Sequence, residues 1–209
     1  MSVQQKPSLG DPAMTQKRFR RFAVLGFLVA AVSAFIVIEM RPDDHVKKLA
    51  KALQSDDVET RYSAAKDLED LGPNAELALV ELAGALDDEA TKVRYRAAKA
   101  LSRMGPLAAP AVGPLAIALQ DPERDVRYYA AKALYKIDND AAPALETVIR
   151  VLENGEVDAD VRRYLVKTLG EIGEDSEEAH KVVKNLLRDP DVRVREEVVE
   201  ALQEFEPKE

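Results

Sequence analysis

Apolar residues recur along most of this chain at the spacing of one face of an α-helix. Five segments show apolar residues three, four, seven and ten positions after an arginine, and in four of them also one position before it. These segments are 57–71, 90–104, 123–137, 158–172 and 191–204. Five further segments repeat apolar residues every three or four positions, at about 43–54, 74–86, 107–119, 141–153 and 176–188. Both patterns predict amphipathic helices.

The first set of helices consists of copies of one sequence. VRYRAAKAL at 93–101 is followed by VRYYAAKAL at 126–134, and related copies begin at Thr60, Val161 and Val194. The copies are 33 residues apart, except for one step of 35 that contains two extra residues around Gly155. A period of about 20–50 residues indicates an array of stacked units. We predict an all-α solenoid of about five helical hairpins over 43–205, with units at about 43–72, 73–105, 106–138, 139–173 and 174–205.

Glycine marks the end of three of the repeated helices. Gly72, Gly105 and Gly173 follow the last apolar position, where a helix often ends in a conformation that glycine adopts easily. Asp138 and Glu206 stand at the two equivalent positions.

The N-terminal part has a different pattern. Phe22 to Ile38 is an uncharged run of 17 residues, which predicts a transmembrane signal-anchor helix over 22–40. Residues 1–21 precede it, and we expect a disordered basic cytoplasmic tail there. A cleaved signal peptide is the alternative, because Val32-Ser33-Ala34 offers small residues for cleavage. Phe35 to Ile38 would then become an exposed apolar N-terminus, which favours the uncleaved anchor.

Charge gives the anchor an orientation. The chain has a net charge of −8, but residues 1–41 hold six basic and two acidic groups, so the rest carries −12. Four of those basic groups lie in Lys17–Arg21, directly before the apolar run. By the positive-inside rule the N-terminus is cytoplasmic. We therefore expect the repeats outside the cytoplasm, in a bacterial periplasm or beyond.

The composition excludes several kinds of function. No cysteine and no tryptophan is present, and the only histidines are His45 and His180. Thiolate metal sites and cysteine nucleophiles are therefore excluded, and no His-Glu pair or glycine-rich phosphate loop occurs. A domain of charge −12 also argues against nucleic acid as a partner. We expect no cofactor, no small-molecule substrate and no enzymatic activity.

Residues 87–105, DDEATKVRYRAAKALSRMG, and residues 120–138, QDPERDVRYYAAKALYKID, resemble the HEAT-like repeats first grouped with phycobilisome bilin lyases. The shared features are an acidic turn, Val-Arg, and an Ala-Ala-x-Ala-Leu segment. The resemblance covers about 43–205. It implies a HEAT-like solenoid whose second helices line a concave surface, and it says little about function, since the family includes scaffolds, adaptors and a few enzymes.

One column of equivalent residues is predicted to connect the repeats. An arginine follows the turn in each unit, and residues able to accept hydrogen bonds occupy the turn itself. The arginines are Arg61, Arg94, Arg127, Arg162 and Arg195; the proposed acceptors are Ser55, Asp88, Asp121, Asn154 and Asp189. We interpret this column as a structural ladder, since a residue present in every unit is usually architectural. The alternative is an anion site formed by converging arginines.

A second column predicts a binding surface, which we call the Tyr/Lys strip. In the first three units a tyrosine and a lysine four residues apart share one helix face, away from the apolar stripe, and Tyr129, Tyr135 and Tyr164 are expected close by. The strip comprises Tyr62, Lys66, Tyr95, Lys99, Tyr128, Lys132, Tyr164 and Lys167. Tyrosine favours protein interfaces, so we expect a protein or acidic peptide to bind here. The alternative is that lysine stems merely cover tyrosine rings on a solvated face.

Acidic residues on the helices, including Asp67, Glu69, Asp70 and Glu174, are expected to be a solvated surface. Two functions remain. The first is a single-pass membrane-anchored scaffold or adaptor whose exported solenoid binds protein partners on its concave face, with a secreted form as a variant. The second is a bilin-lyase-like or other HEAT-type enzyme subunit.

Overall fold

A computed structural model of the protein describes residues 42–155 and 157–206. The predicted tail (1–21) and anchor (22–40) lie outside these residues. Within the described part there are ten α-helices and no strand. They are α1 Pro42–Ala52, α2 Val58–Leu71, α3 Leu79–Gly84, α4 Thr91–Met104, α5 Val112–Ala118, α6 Arg124–Ile137, α7 Leu145–Asn154, α8 Ala159–Ile172, α9 Glu177–Asn185 and α10 Val192–Glu204. No helix of this part is long and apolar enough to cross a membrane.

The even-numbered helices are the repeated ones. Each begins one residue after its predicted start and ends where it was predicted to end. The extra residue is the N-cap, and in α2 and α10 it is an aspartate whose side chain accepts a backbone N–H, from Thr60 and Arg193 respectively. An N-cap aspartate satisfies a donor that the helix leaves without a partner, so the turn sequence fixes where each of these two helices begins.

The odd-numbered helices are shorter than predicted in the middle of the array. In units two to four the predicted helix begins with a 3-10 segment, namely Gly72–Ala78, Gly105–Ala111 and Asp138–Ala144. Pro73 and Pro106 start two of these segments, and Pro110 and Pro143 lie inside two of them. Proline lacks the N–H that an α-helix needs, so a tighter helix precedes the α-helical turns.

The core lies between the two layers of helices, and the even-numbered helices pack closely on one another along the array. Ala97 and Ala98 of α4 and Ala130 and Ala131 of α6 are completely buried. Small side chains at these positions let neighbouring helix backbones approach. The even-numbered helices therefore form one continuous layer, which we call the inner layer because the HEAT-like resemblance predicts it on the concave side.

The arginine column links consecutive repeats. In Arg61, Nη1 donates to the Ser55 and Asp56 carbonyls of its own turn, at 2.8 and 3.1 Å. Nε and Nη2 of the same side chain donate to the two carboxylate oxygens of Asp88 in the next repeat, at 2.6 and 3.0 Å. Arg61 therefore donates hydrogen bonds both to its own turn and to the turn of the following repeat.

The same two-sided arrangement recurs along the array. Arg94 binds the carboxylate of Asp121 at 2.7 and 3.2 Å, and Arg162 binds that of Asp189 at 2.7 and 2.9 Å. These carboxylates also accept a backbone N–H at the start of the next helix. Arg195 donates to the carbonyls of Asp189 and Pro190. We call this set of contacts the arginine ladder.

The prediction of Asn154 as a ladder residue was wrong. Asn154 is exposed at the end of α7, and Arg127 instead donates to Asp158, the N-cap residue of α8, at 2.7 Å. The cause is the two-residue insertion around Gly155, which changes the turn and puts Asp158 within reach. Only Nη2 of Arg127 makes this contact, and among the described residues its Nε has no hydrogen-bond partner.

The ladder keeps the carboxylates of Asp88 and Asp189 ionised. Burial alone would raise the pKa of Asp88, but hydrogen bonds from Arg61 and from the Ala90 N–H outweigh it, and the pKa lies below its ordinary value. The pKa of Asp189 is lowered for the same reason, against burial, by Arg162 and a backbone N–H. These ion pairs therefore persist at neutral pH.

One cap in the array is strained. Gly72 and Gly105 end α2 and α4 with φ of 54° and 60°. Asp138 ends α6 with φ of 65° and ψ of −144°, a conformation that glycine adopts readily and that residues with a Cβ avoid. The Asp138 carboxylate accepts the Asn139 N–H at 2.8 Å, which offsets part of that cost.

The ladder predicts unequal losses of stability. Arg94→Met leaves the buried Asp121 carboxylate without its cation, so we expect the free energy of unfolding to fall by about 3 kcal/mol. Arg127→Met should cost less, because Arg127 makes one bond to Asp158 where Arg94 makes two to Asp121. As a control, Arg124→Met removes pairs made by an exposed arginine, 54% of whose side chain is accessible, and should cost less than about 1 kcal/mol. Denaturant unfolding followed by circular dichroism measures all three, and an unchanged midpoint for Arg94→Met would contradict the ladder.

The strained cap predicts a stabilising substitution. Asp138→Gly removes the Cβ from a positive-φ position and should raise the free energy of unfolding by about 1 kcal/mol, less the lost Asn139 contact. The matched control is Gly105→Ala, where an added Cβ would meet nothing closer than 3.9 Å, yet the same backbone conformation should make it destabilising. Thermal melts of both variants test this, and a lower melting temperature for Asp138→Gly would refute the explanation.

Candidate functional site

Tyrosine rings from three even-numbered helices form a continuous cluster on the inner layer. Ring centroids are 5.4 Å apart for Tyr95 and Tyr129, 5.0 Å for Tyr129 and Tyr128, and 5.5 Å for Tyr128 and Tyr164. Tyr135 adds a fifth ring, 5.9 Å from Tyr164. The first three contacts are edge-to-face, the arrangement that aromatic pairs prefer. All five rings, which we call the tyrosine cluster, are half-buried.

Cations from the same helices cover these rings. Lys99 lies 5.6 Å from the centroids of both Tyr95 and Tyr129. Lys132 lies 5.8 Å from the Tyr128 centroid and 5.9 Å from those of Tyr129 and Tyr164. Two further cations are placed similarly, Arg163 over Tyr164 and Lys167 over Tyr135. Distances below about 6 Å give attraction between the charge and the ring face.

A buried carboxylate pairs with the cations at the N-terminal end of the cluster. Glu69 has 2% of its side chain exposed and contacts Arg96 at 2.7 Å, Lys99 at 3.1 Å and Arg103 at 3.0 Å. Burial would raise the pKa of Glu69, but hydrogen bonds from Arg96 and Lys99 outweigh it and lower the pKa. The expectation that Glu69 belongs to a solvated acidic surface was therefore wrong, because three cations of the next helix surround it.

A second carboxylate does the same at the C-terminal end. Glu197 of α10 lies 2.9 Å from Arg163 Nε and 2.5 Å from Lys167 Nζ, and 11% of its side chain is exposed. Burial would lower the pKa of Lys167, but the hydrogen bond and charge of Glu197 and other nearby groups outweigh it, and the pKa is raised. Each end of the cluster thus has one carboxylate of the chain in contact with its cations, and the cations outnumber it.

The Tyr/Lys strip is only partly assembled. Six of its predicted residues meet in or over the tyrosine cluster: Tyr95, Lys99, Tyr128, Lys132, Tyr164 and Lys167. Tyr62 lies to one side, where its hydroxyl accepts a hydrogen bond from Arg96 at 3.0 Å and Lys92 approaches its ring. Lys66 is exposed, and no ring contact or ion pair joins it to the cluster within the described part of the chain.

Sequence columns missed several members of this surface. Tyr129 and Tyr135 were expected near the strip but were not included in it, and Arg96, Arg163, Glu69 and Glu197 were not assigned to the site. Arg96, Tyr129, Tyr164 and Glu197 do share one repeat position, two residues after the ladder arginine. This repeat position was the signal available in the sequence, because its residue changes from a cation to an aromatic ring to an anion along the array.

The opposite face carries an open groove of about 870 Å³ between α3 and α5. Its apolar wall includes Pro114 and Ile117, and its polar wall includes Arg94 and Asp121. Those two polar residues already bind one another in the arginine ladder, so the groove offers few polar groups that are not already paired. Among the described residues, no group of three or more His, Asp or Glu side chains is arranged to hold a metal ion.

Comparison with solved structures finds similar repeat folds. In the complex of CpcE and CpcF of phycocyanin lyase from Nostoc sp. PCC7120, the matching chain is 24% identical, with a TM-score of 0.62, over 98% of this chain and 70% of that one. An engineered protein is 26% identical, with a TM-score of 0.62, over 77% and 79% of the two chains. A designed armadillo repeat protein in complex with the peptide (KR)4 is 18% identical, with a TM-score of 0.64, over 78% and 87%.

Comparison with curated protein sequences finds no match. The sequence profile of HEAT repeats matches residues 79–157 and 145–209, which together make up more than half of the chain. The described residues form five stacked helical hairpins within and beside these limits. The chain therefore belongs to the HEAT repeat family.

Proposed function

We propose that this protein is a membrane-anchored HEAT-repeat scaffold that binds a protein or peptide partner on the inner layer of its array. The observation that carries the proposal is the tyrosine cluster, in which five half-buried rings and their cations form one surface across three repeats. Tyrosine supplies rigid contact area at low entropic cost, and clustered aromatic residues often dominate binding energy.

The charge of this surface favours an acidic partner. Arg96, Lys99, Lys132, Arg163 and Lys167 lie on or beside the rings, although the array as a whole is acidic. General support for a peptide partner comes from similar folds: one designed armadillo repeat protein is in complex with (KR)4, and another, 20% identical with a TM-score of 0.63, was designed for modular peptide recognition. The (KR)4 peptide is basic, so the charges of surface and partner would be reversed here.

Binding rather than catalysis is the second part of the proposal. The chain lacks cysteine, and its two histidines belong to the first and last hairpins, away from the tyrosine cluster. A bilin-lyase-like activity would rest on the CpcE and CpcF likeness alone, and at 24% identity that likeness concerns the fold. No feature of the tyrosine cluster favours that alternative.

The third part concerns location. The uncharged run from Phe22 to Ile38, with four basic residues before it, supports an uncleaved anchor with a cytoplasmic N-terminus. The repeats would then lie outside the cytoplasm, close to the membrane. A scaffold held there would bind partners from the same compartment.

The binding surface is tested by paired substitutions on the two faces of the array. Tyr128→Ala combined with Lys132→Ala removes the centre of the tyrosine cluster and should abolish capture of the partner by the full chain. Val80→Ser combined with Ile117→Ser changes two side chains that are 77% and 76% exposed on the odd-numbered helices, and capture should persist.

Chemical crosslinking and mass spectrometry of membranes from the source cells identify the partner. Cooperative melting of both variants excludes unfolding, and retained capture by the first variant would place the site elsewhere.

The location is tested by protease treatment of intact cells. We expect the repeats to be digested while an epitope placed before residue 17 stays protected, because the two lie on opposite sides of the membrane. N-terminal sequencing should find the anchor still attached. A mature chain that begins after Ala34 would indicate the secreted form, and protected repeats would refute export.

A further inference from the structure

Positive charge is balanced unevenly along the tyrosine cluster. Glu69 forms ion pairs with Arg96 and Lys99 at one end, and Glu197 forms ion pairs with Arg163 and Lys167 at the other. Lys132 lies between these two groups. No carboxylate of the described residues lies within ion-pair distance of its ammonium group, and three ring faces surround it instead.

Ring faces stabilise the charge of Lys132 without satisfying its hydrogen bonds. A lysine ammonium group carries three N–H donors, and a ring face is a poor substitute for an acceptor oxygen. Removing part of the hydration of an ammonium group and giving it no acceptor is costly, so such a group binds an incoming anion readily. The cluster thus has one cation whose counter-ion the described chain does not supply.

The tyrosine hydroxyls around Lys132 are suited to the same anion. Burial, helped by a hydrogen bond with Tyr164, raises the pKa of Tyr128, and burial next to Tyr95 raises the pKa of Tyr129. Both phenols therefore keep their protons at neutral pH. A neutral phenol donates a hydrogen bond to an anion, whereas a phenolate would repel it.

We propose that Lys132, with the hydroxyls of Tyr128, Tyr129 and Tyr164, binds one carboxylate of an acidic side chain in the partner. This inference rests on the proposed function and specifies the chemistry of the partner at the centre of the surface. Leu, Val or aromatic side chains next to the acidic residue would then lie on the flanking rings. The partner's carboxylate would contact Lys132 at the centre of the cluster, as Glu69 and Glu197 contact the cations at its two ends.

A single carboxylate fits the surroundings better than a polyanion. The part of the chain after residue 41 carries a net charge of −12, which repels a highly acidic ligand at long range. The neighbouring cations already contact a carboxylate of the chain, so further carboxylates on a ligand would compete with Glu69 and Glu197 for them. We therefore expect recognition of one acidic residue in a mixed or apolar sequence.

The test is selection from a random peptide library displayed on phage, with the purified full chain in detergent as the target. The wild-type chain should enrich peptides with one Asp or Glu at a fixed position. Lys132→Met, which keeps the aliphatic stem, should enrich peptides without that preference. Lys66→Met is the matched control at the same repeat position, and it should behave like the wild type. Exchanging the acidic residue of a selected peptide for its amide should weaken binding to the wild type about tenfold or more.

The outcomes separate this inference from the proposed function. The selected peptides could require Tyr128 for binding and yet show the same preference for an acidic residue with the Lys132→Met variant. That result would refute the proposed carboxylate site at Lys132 and would still support the proposed binding surface. Peptides whose binding is unaffected by the Tyr128→Ala and Lys132→Ala pair, or no enrichment at all, would overturn both. Polyglutamate that binds more tightly than the selected peptides would also contradict the single-carboxylate pocket.

Discussion

The close packing of consecutive even-numbered helices is the constraint on which the rest of the molecule depends. Completely buried alanine pairs such as Ala97–Ala98 and Ala130–Ala131 allow that approach. Only at such spacing can a tyrosine on one helix touch a tyrosine on the next, and only then does Glu69 of α2 reach three cations of α4. The apolar stripe, the ring contacts and the buried ion pairs therefore all require the same short distance between backbones.

Much of the fold could be predicted from the sequence because each repeat contains the same pattern of apolar and turn residues. The period, the hairpins and the ends of the even-numbered helices follow from apolar spacing and from turn residues. The odd-numbered helices were less predictable, since apolar spacing does not distinguish α from 3-10 turns where Pro110 or Pro143 intervenes. Asp158 was missed because the insertion breaks the column, and geometry in three dimensions decides which acid Arg127 reaches.

The candidate site was harder to predict than the fold, for a physical reason. A repeat column reports what each unit has in common, whereas the tyrosine cluster is formed by differences between units. Tyr129 stands where its neighbours in the column are Arg96 and Tyr164. In the sequence Glu69 and Glu197 look like solvated acids. In the structure Glu69 contacts three cations and Glu197 contacts two, all of them from the adjacent repeat. Local charge on this surface is therefore opposite to the charge of the array.

Arg127 has a mechanical consequence for the array. The neighbouring links, from Arg94 to Asp121 and from Arg162 to Asp189, each use two hydrogen bonds to one carboxylate, whereas the link from α6 to α8 uses one. A force pulling along the solenoid would act on a ladder link of one hydrogen bond at this seam, with the Arg124 contact to Asp160 beside it, and on links of two at the neighbouring seams. The contact between Tyr128 and Tyr164 crosses the same seam, so a ligand spread over those rings would add contacts between these two repeats.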